Sequence, residues 1–246
     1  MEINEHSLHS PGLFNLYMEC FRSAKRDPDD PQIEVLRKSF NRNKTLIDII
    51  DYGAGSKLSS KTTRTLQSIA HGGISTAKYS KLFQKLIRYF GSRKIVELGT
   101  SLGINTIYLS RSNPEVKVWT FEGCSSIVNI ASEVFSDFGC SNVEIIPGNI
   151  ADTLPRLLND IQEIDFVLID ATHTYQATYA YFELILSKLS EKAVVIIDDI
   201  YWSKEMTSVW KKILQQHLEI VSIDIYRCGI LIFDKSIQAE RVKLAF

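Results

Sequence analysis

The sequence predicts an α/β fold, a doubly wound and mostly parallel sheet with a reversed strand near its C-terminal end, on three observations. From Arg93 onward, short apolar runs alternate with longer stretches of helical period, the pattern of strands buried on both faces under covering helices. The order is strand, helix, strand throughout, so right-handed crossovers wind the chain into one open sheet. The rhythm then breaks: Leu218 to Tyr226 alternates as a strand, and a second apolar run, Ile230 to Phe233, follows directly after Arg227-Cys228-Gly229. A link that short leaves no room for a helix and forces an antiparallel pair.

Taken in order, Leu13 to Ser23 has helical period, Arg26 to Pro31 is a turn-rich break, and Ile33 to Phe40 begins another helix. Asp51 to Thr65 is polar, rich in small residues and basic at Lys57, Lys61 and Arg64. A loop this long is disordered or a lid over a site, and Gly53 to Arg64 is read as the lid. Ser75 is expected to cap an amphipathic helix, Ala77 to Phe90, whose stripe of Leu82, Phe83, Leu86, Ile87 and Phe90 belongs to the core. Strands are expected at Lys94 to Leu98, Lys117 to Glu122, Val143 to Pro147, Phe166 to Asp170 and Ala193 to Asp198. Helices fall between them at Gly103 to Ser110, Ser125 to Phe138, Thr153 to Leu158, Gln176 to Leu189 and Ser203 to His217. Residues 1–73 therefore read as a helical extension with a lid loop, and 74–246 as the main domain.

The 246 residues suffice for one well-covered core with an N-terminal elaboration. Acidic and basic residues nearly cancel, 29 against 28, without a block of like charge, so no electrostatic footprint for nucleic acid or an anionic membrane appears. A small molecule is the expected partner. Cys20, Cys124, Cys140 and Cys228 lie far apart without a CxxC pair, which argues for free thiols in a reducing cytosol. The opening MEINEHSLHSPG has neither a basic nor an apolar leader region, and no apolar run is long enough to span a bilayer. A cytoplasmic location follows as the expectation.

The chemistry begins at VELGTSLGINTIYLS, Val96 to Ser110. A strand, a glycine turn and a helix N-terminus expose backbone N–H groups to a ligand. A dinucleotide site requires GxGxxG, yet here Ser101 stands where the second glycine belongs, between Gly99 and Gly103. Glu97, at the strand end, repels phosphate and suits a positively charged ligand such as an ammonium or sulfonium. Glu122 closes the next strand, where a carboxylate can take both ribose hydroxyls. Together these features point to an adenosine ligand with a cationic tail.

At these residues the sequence resembles a known family. VELGTSLGIN followed by FEGC is similar to the first two motifs of class I S-adenosylmethionine-dependent methyltransferases, most like the catechol and caffeoyl-CoA O-methyltransferase branch and its bacterial small-molecule relatives. The resemblance covers about Ile74 to Phe233 and implies a Rossmann-like, seven-stranded, mostly parallel sheet with a reversed C-terminal strand. It implies that Glu97 and the turn of Gly99, Thr100, Ser101 and Gly103 lie by the methionine part of S-adenosylmethionine. Glu122 would bind the ribose, and Gly148, Asn149 and Ile150 would border the adenine. Homodimers are common in this branch.

Two further strands end in acids: FVLIDATHTY places Asp170 at a strand end with His173 just beyond, and VVIIDDIYW places Asp198 and Asp199 at the next. Ligands of doubly wound sheets bind beyond these ends, so Asp170 faces the cofactor as well as the acceptor. Three gathered carboxylates repel one another unless a cation or proton intervenes, and hard oxygen ligands suit Mg2+. The alternative reading is that Asp170 and Asp199 cap turns while Asp198 is solvated. In the metal-binding relatives the corresponding residues resemble Asp, Asp and Asn, so Asp199 departs by one charge. His173 falls where that branch carries a lysine proposed as base, a role for which a histidine is suited near neutral pH. Tyr175, Tyr201 and Trp202 follow the same strand ends and can wall a substrate or simply pack.

The expected function is transfer of a methyl group from S-adenosylmethionine to a hydroxyl of a small molecule. Mg2+ on Asp170, Asp198 and Asp199 would lower the hydroxyl pKa, with His173 and Asp170 as the catalytic pair. The alternatives are metal-independent transfer to nitrogen or sulfur on the same fold, a nicotinamide-dependent oxidoreductase, and a non-catalytic cofactor-fold interaction module.

Overall fold

The structure, a computed structural model, describes residues 10–51 and 60–246. Its first helix, α1 (Pro11–Leu16), runs through a π-helical stretch, Tyr17–Arg22, into α2 (Ser23–Arg26). Asp30 caps α3 (Pro31–Phe40): its carboxylate accepts from the N–H groups of Gln32 and Ile33, and Pro31 opens the first turn, where its missing N–H costs nothing.

Strands β1 (Leu46–Asp51) and β2 (Ser60–Thr65) pair antiparallel, Leu46 opposite Thr65 and Asp51 opposite Ser60. This corrects the expected loop in its last part. Thr62, Thr63 and Thr65 are β-branched, and pairing with the Ile-rich β1 outweighs the polarity that reads as loop. The rest of the expected lid, Gly53 to Ser59, lies outside the described residues.

Helix α4 (Leu66–Gly73) leads to α5 (Ala77–Phe90), which ends at left-handed Gly91. The residue at the α5 N-cap is Thr76 and not Ser75 as expected. Ser75 is buried with its carbonyl accepting from Arg37 and its hydroxyl from Arg227, so it is committed to two arginines rather than to the helix.

The main sheet consists of β3 (Lys94–Leu98), β4 (Lys117–Glu122), β5 (Val143–Pro147), β6 (Ile164–Ile169), β7 (Leu189–Ile197), β8 (Val221–Asp224), β9 (Gly229–Ile232) and β10 (Arg241–Lys243). Their spatial order is β10-β8-β9-β7-β6-β3-β4-β5. Only β9 runs against its neighbours, antiparallel to both β7 and β8, as the short link after Tyr226 requires. The sheet has one strand more than the seven expected: β10 adds in parallel to the edge strand β8. It escapes a sequence reading because only Val242 of its residues is buried, between charged Arg241 and Lys243.

Helices α6 (Ile104–Ser110), α7 (Ser125–Asp137), α8 (Ile150–Asp160), α9 (Tyr175–Leu186) and α10 (Lys204–Gln216) connect and cover these strands. Alternation along the strands sorts the two cores. Ile95, Phe166, Leu168, Val194 and Ile196 pack under α5 and the N-terminal helices, while Val96, Val167, Ile169, Val195 and Ile197 pack under α8, α9 and α10. The chain goes outward from β3 to β4 and β5, then returns across β3 to β6 and β7. The crevice between β3 and β6, where the order reverses, is where such folds bind ligands.

No helix among the described residues is long and apolar enough to cross a membrane. All four cysteines are buried and free of disulfides.

Candidate functional site

Gly99 leaves β3 at φ 108°, and a Cβ there would lie 2.1 Å from the Asp170 carbonyl oxygen. The close approach of these two backbones forms the floor of the crevice, and it requires glycine. Gly103, at φ 77°, is the N-cap of α6, and a Cβ would sit 2.8 Å from the Phe135 ring on α7. Thus Gly99 faces the ligand crevice and Gly103 seats one helix on another.

Glu97 lies one layer behind the turn. It is fully buried, with Oε1 accepting from Asn105 Nδ2 at 3.0 Å and Oε2 from the Thr106 and Thr120 hydroxyls at 2.5 and 2.7 Å. Burial pushes its carboxyl up to about 7 against the pull of these donors and despite their number. Thr100 is buried beside it, its hydroxyl 2.7 Å from that of Thr120. Neither side chain faces the main cavity; both tie β3, β4 and α6 together behind it.

That cavity, of 370 Å³, opens beyond the carboxyl ends of β3 to β7. Gly99, Ser101, Glu122, Gly148, Asn149 and Ile150 line one side, Asp170, His173, Asp199 and Arg227 the other, and Ile49 and Ile50 of the β1–β2 hairpin also border it. Glu122 accepts from the N–H groups of Ser101 at 3.0 Å and Cys124 at 2.9 Å, one on each oxygen, leaving lone pairs on both for a diol. Burial raises its pKa, opposed by those N–H donors. Asn149 caps α8 through Ala151 N–H, and Gly148, at φ 118°, turns the chain beside it.

A small recess beside the cavity is bordered by Gly73, Ser75, Ser101, Asn105 and Asp170. The Ser101 hydroxyl and Asn105 Oδ1 are buried there without a hydrogen-bond partner among the described residues. Unpaired buried acceptors are costly and call for a ligand or water.

On the opposite side, the His173 Nε2 lies 3.6 Å from Asp170 Oδ1, within ion-pair reach but beyond a hydrogen bond. Burial, then the neighbouring Asp198 charge, hold Asp170 well above the usual carboxylate range, against the pull of Arg227. Asp199 is raised by the same two causes and lowered by His173 and Arg227. Asp198 is only 1% exposed and is gripped by Arg227: Nε lies 3.2 Å from both carboxylate oxygens and Nη2 2.9 Å from Oδ2. Ser101, Thr172, His173 and Asp199 all take positive φ, between 45° and 66°, and such strain in non-glycine residues gathers at working sites.

The structure thus brings together Gly99, Ser101, Glu122, Gly148, Asn149, Ile150, Asp170, His173 and Asp199 around one cavity, with Glu97, Thr100, Gly103 and Asp198 supporting it from behind. The aromatic residues expected as walls lie elsewhere. Trp202 is 73% exposed, Tyr201 bonds Asp224 and Lys243, and Tyr175 stacks on Tyr179. Arg227 and Asn105 were not foreseen as site residues. Arg227 belongs to the link between the two antiparallel strands, and its position is legible only once Gly229 is known to pair with Ile197 at the end of β7.

Residues 96–200 match a methyltransferase domain family. Catechol O-methyltransferase of Mycobacterium tuberculosis is 28% identical over 127 residues, 51% of this chain and 56% of that protein, so the match spans just over half the relative's length. An O-methyltransferase from Bacillus cereus solved with SAH superposes with a TM-score of 0.65 at 19% identity, covering 90% of this chain and 96% of that one. The O-methyltransferase TomG from Streptomyces achromogenes, solved with SAM, gives 0.66 at 19% identity over 91% and 96%. Residues 96–200 thus match a methyltransferase domain family, and the whole chain shares its fold with solved O-methyltransferases.

Proposed function

We propose that this chain transfers the methyl group of S-adenosylmethionine to a hydroxyl oxygen of a small molecule, with His173 as the base. The observation that carries this reading is one cavity joining a nucleoside wall, Glu122 with Gly148, Asn149 and Ile150, to the His173–Asp170 pair.

The residues present fit the cofactor. Glu122 keeps a lone pair on each oxygen for the ribose diol, and the unpaired Ser101 hydroxyl and Asn105 Oδ1, next to Asp170, are acceptors for an ammonium. When bound, the cofactor supplies an electrophilic methyl group whose bond to sulfur breaks as the bond to oxygen forms, leaving a neutral thioether. The protein's work is to align the acceptor oxygen and remove its proton. His173 takes that proton on the ring nitrogen turned away from Asp170, and the Asp170 carboxylate beside Nε2 stabilises the imidazolium formed.

The Mg2+ expected on Asp170, Asp198 and Asp199 does not fit these residues. Asp198 is buried with both oxygens engaged by Arg227, and no group of three or more His, Cys, Asp or Glu among the described residues is placed to hold a metal ion. The same pairing favours a second reading, transfer to nitrogen or sulfur, since those acceptors need no ion to lower a hydroxyl pKa.

Calorimetric titration with S-adenosylhomocysteine, S-adenosylmethionine and NAD tests the cofactor, followed by turnover on a panel of phenols, catechols, amines and thiols. Binding of the first two and methylation of a hydroxyl support the reading; binding of NAD alone overturns it, and methylation only of amines or thiols moves it to the second.

A further inference from the structure

The carboxylates at the ends of β6 and β7 already have a cation, and it is part of the chain. The guanidinium of Arg227 forks onto Asp198, donates to Ser75 Oγ at 3.2 Å and lies over the Tyr79 ring, 5.1 Å from its centroid. Its backbone is pinned as well: Arg227 N–H donates to the Ile225 carbonyl and its own carbonyl accepts from Ile200 N–H. A side chain held by a carboxylate fork, a hydroxyl and an aromatic face is pre-organised, and only the planar geometry of arginine makes all three contacts at once. The Nη1 group makes no hydrogen bond among the described residues, and Arg227 lines the cavity that holds His173 and Asp199.

From this geometry we infer that Arg227 takes the place of a divalent cation in this site and presents Nη1–H to the acceptor oxygen. The inference rests on the transferase reading above. It makes Arg227 a substrate-contacting catalytic residue and a charge partner: the guanidinium balances Asp198 and donates to the oxygen as its proton leaves for His173, while Asp198 is left without the open coordination positions an ion requires. A lysine would keep the charge but lose the fork, since an ammonium cannot span both Asp198 oxygens in plane while leaving a donor for the cavity.

The test uses the whole chain loaded with S-adenosylhomocysteine and Mn2+ as the metal probe, read by electron paramagnetic resonance. The native protein is expected to take up no stoichiometric Mn2+, and R227M, which frees Asp198, to gain roughly tenfold or more in Mn2+ affinity. One equivalent of Mn2+ bound by the native chain, or an R227M chain that still binds S-adenosylhomocysteine but holds Mn2+ no better, overturns the inference. The native measurement decides even where R227M does not fold. Failure of the native chain to bind S-adenosylhomocysteine is a separate outcome that overturns the transferase reading and this inference with it.

Discussion

Asp198 and Arg227 form a forked ion pair at the end of β7, Nη2 to Oδ2 at 2.9 Å, in which the carboxylate is 1% exposed and the guanidinium side chain 28%. Removing one partner of such a pair leaves a buried charge alone, which costs about 3–5 kcal/mol, whereas replacing both together costs far less. R227M should therefore lower stability by about 3 kcal/mol, and the double variant R227M/D198N should recover a large part of that loss. Urea unfolding of the two variants checks this; equal losses would mean that the pair's contribution is packing alone.

Glu97 makes stability depend on pH. Its folded-state pKa, about 7, lies above the ordinary 4.5, so between those values the folded chain holds a proton that the unfolded chain has released. Stability from this residue is full below pH 4.5, declines as pH rises and levels off above 7, a total of roughly 3 kcal/mol. E97Q should flatten that part of the profile when urea midpoints are compared from pH 4 to 8. An unchanged slope would place the titration elsewhere.

At Gly99 the backbone of β3 and that of Asp170 touch. G99A puts a methyl group into the carbonyl and forces a left-handed residue at once, so it should cost several kcal/mol, beyond the ~1–3 expected of backbone strain alone. It should also abolish S-adenosylhomocysteine binding. A folded G99A chain that still binds the ligand would mean that the crevice is formed otherwise.

His173 is the base of the proposed reaction, so H173A should lower turnover by about 10²–10⁴-fold. With catechol as test acceptor, S-adenosylhomocysteine affinity should stay within about threefold, because the loss falls on the chemical step. E122Q should do the opposite, weakening S-adenosylhomocysteine about tenfold through the ribose contact. If H173A weakens the ligand as much as E122Q does, His173 belongs to the cofactor wall.

Strands β3, β4 and β5 stand where their apolar runs place them: β3 and half of β4 are buried and carry a dense local signal, while β5, only partly covered at the sheet edge, is marked by its short apolar run alone. The turn from Gly99 to Gly103 was equally legible, since two of its three positions of positive φ are glycines, where few other residues fit. Strand β2 was not, because its stability comes from pairing with β1 rather than from its own polar composition, and β10 was too short and charged to register. In the site, Glu122 could be placed from its strand end, and His173 from its place three residues past Asp170 together with the family resemblance. Arg227 could not: its role depends on β9 being inserted beside β7, a fact of sheet order that no local pattern carries.

The left-handed backbone at Ser101, Thr172, His173 and Asp199 sets a trade for anyone who seeks a hardier version of this protein. Each of these positions holds roughly 1–3 kcal/mol of strain that glycine would release. Selection for heat resistance alone would therefore drift toward glycine at 173 and 199 and strip the cavity of its imidazole and one of its carboxylates. Under the proposed reaction, thermal robustness and turnover draw on His173 in opposite directions, so a library screened for melting temperature should hold that position constant.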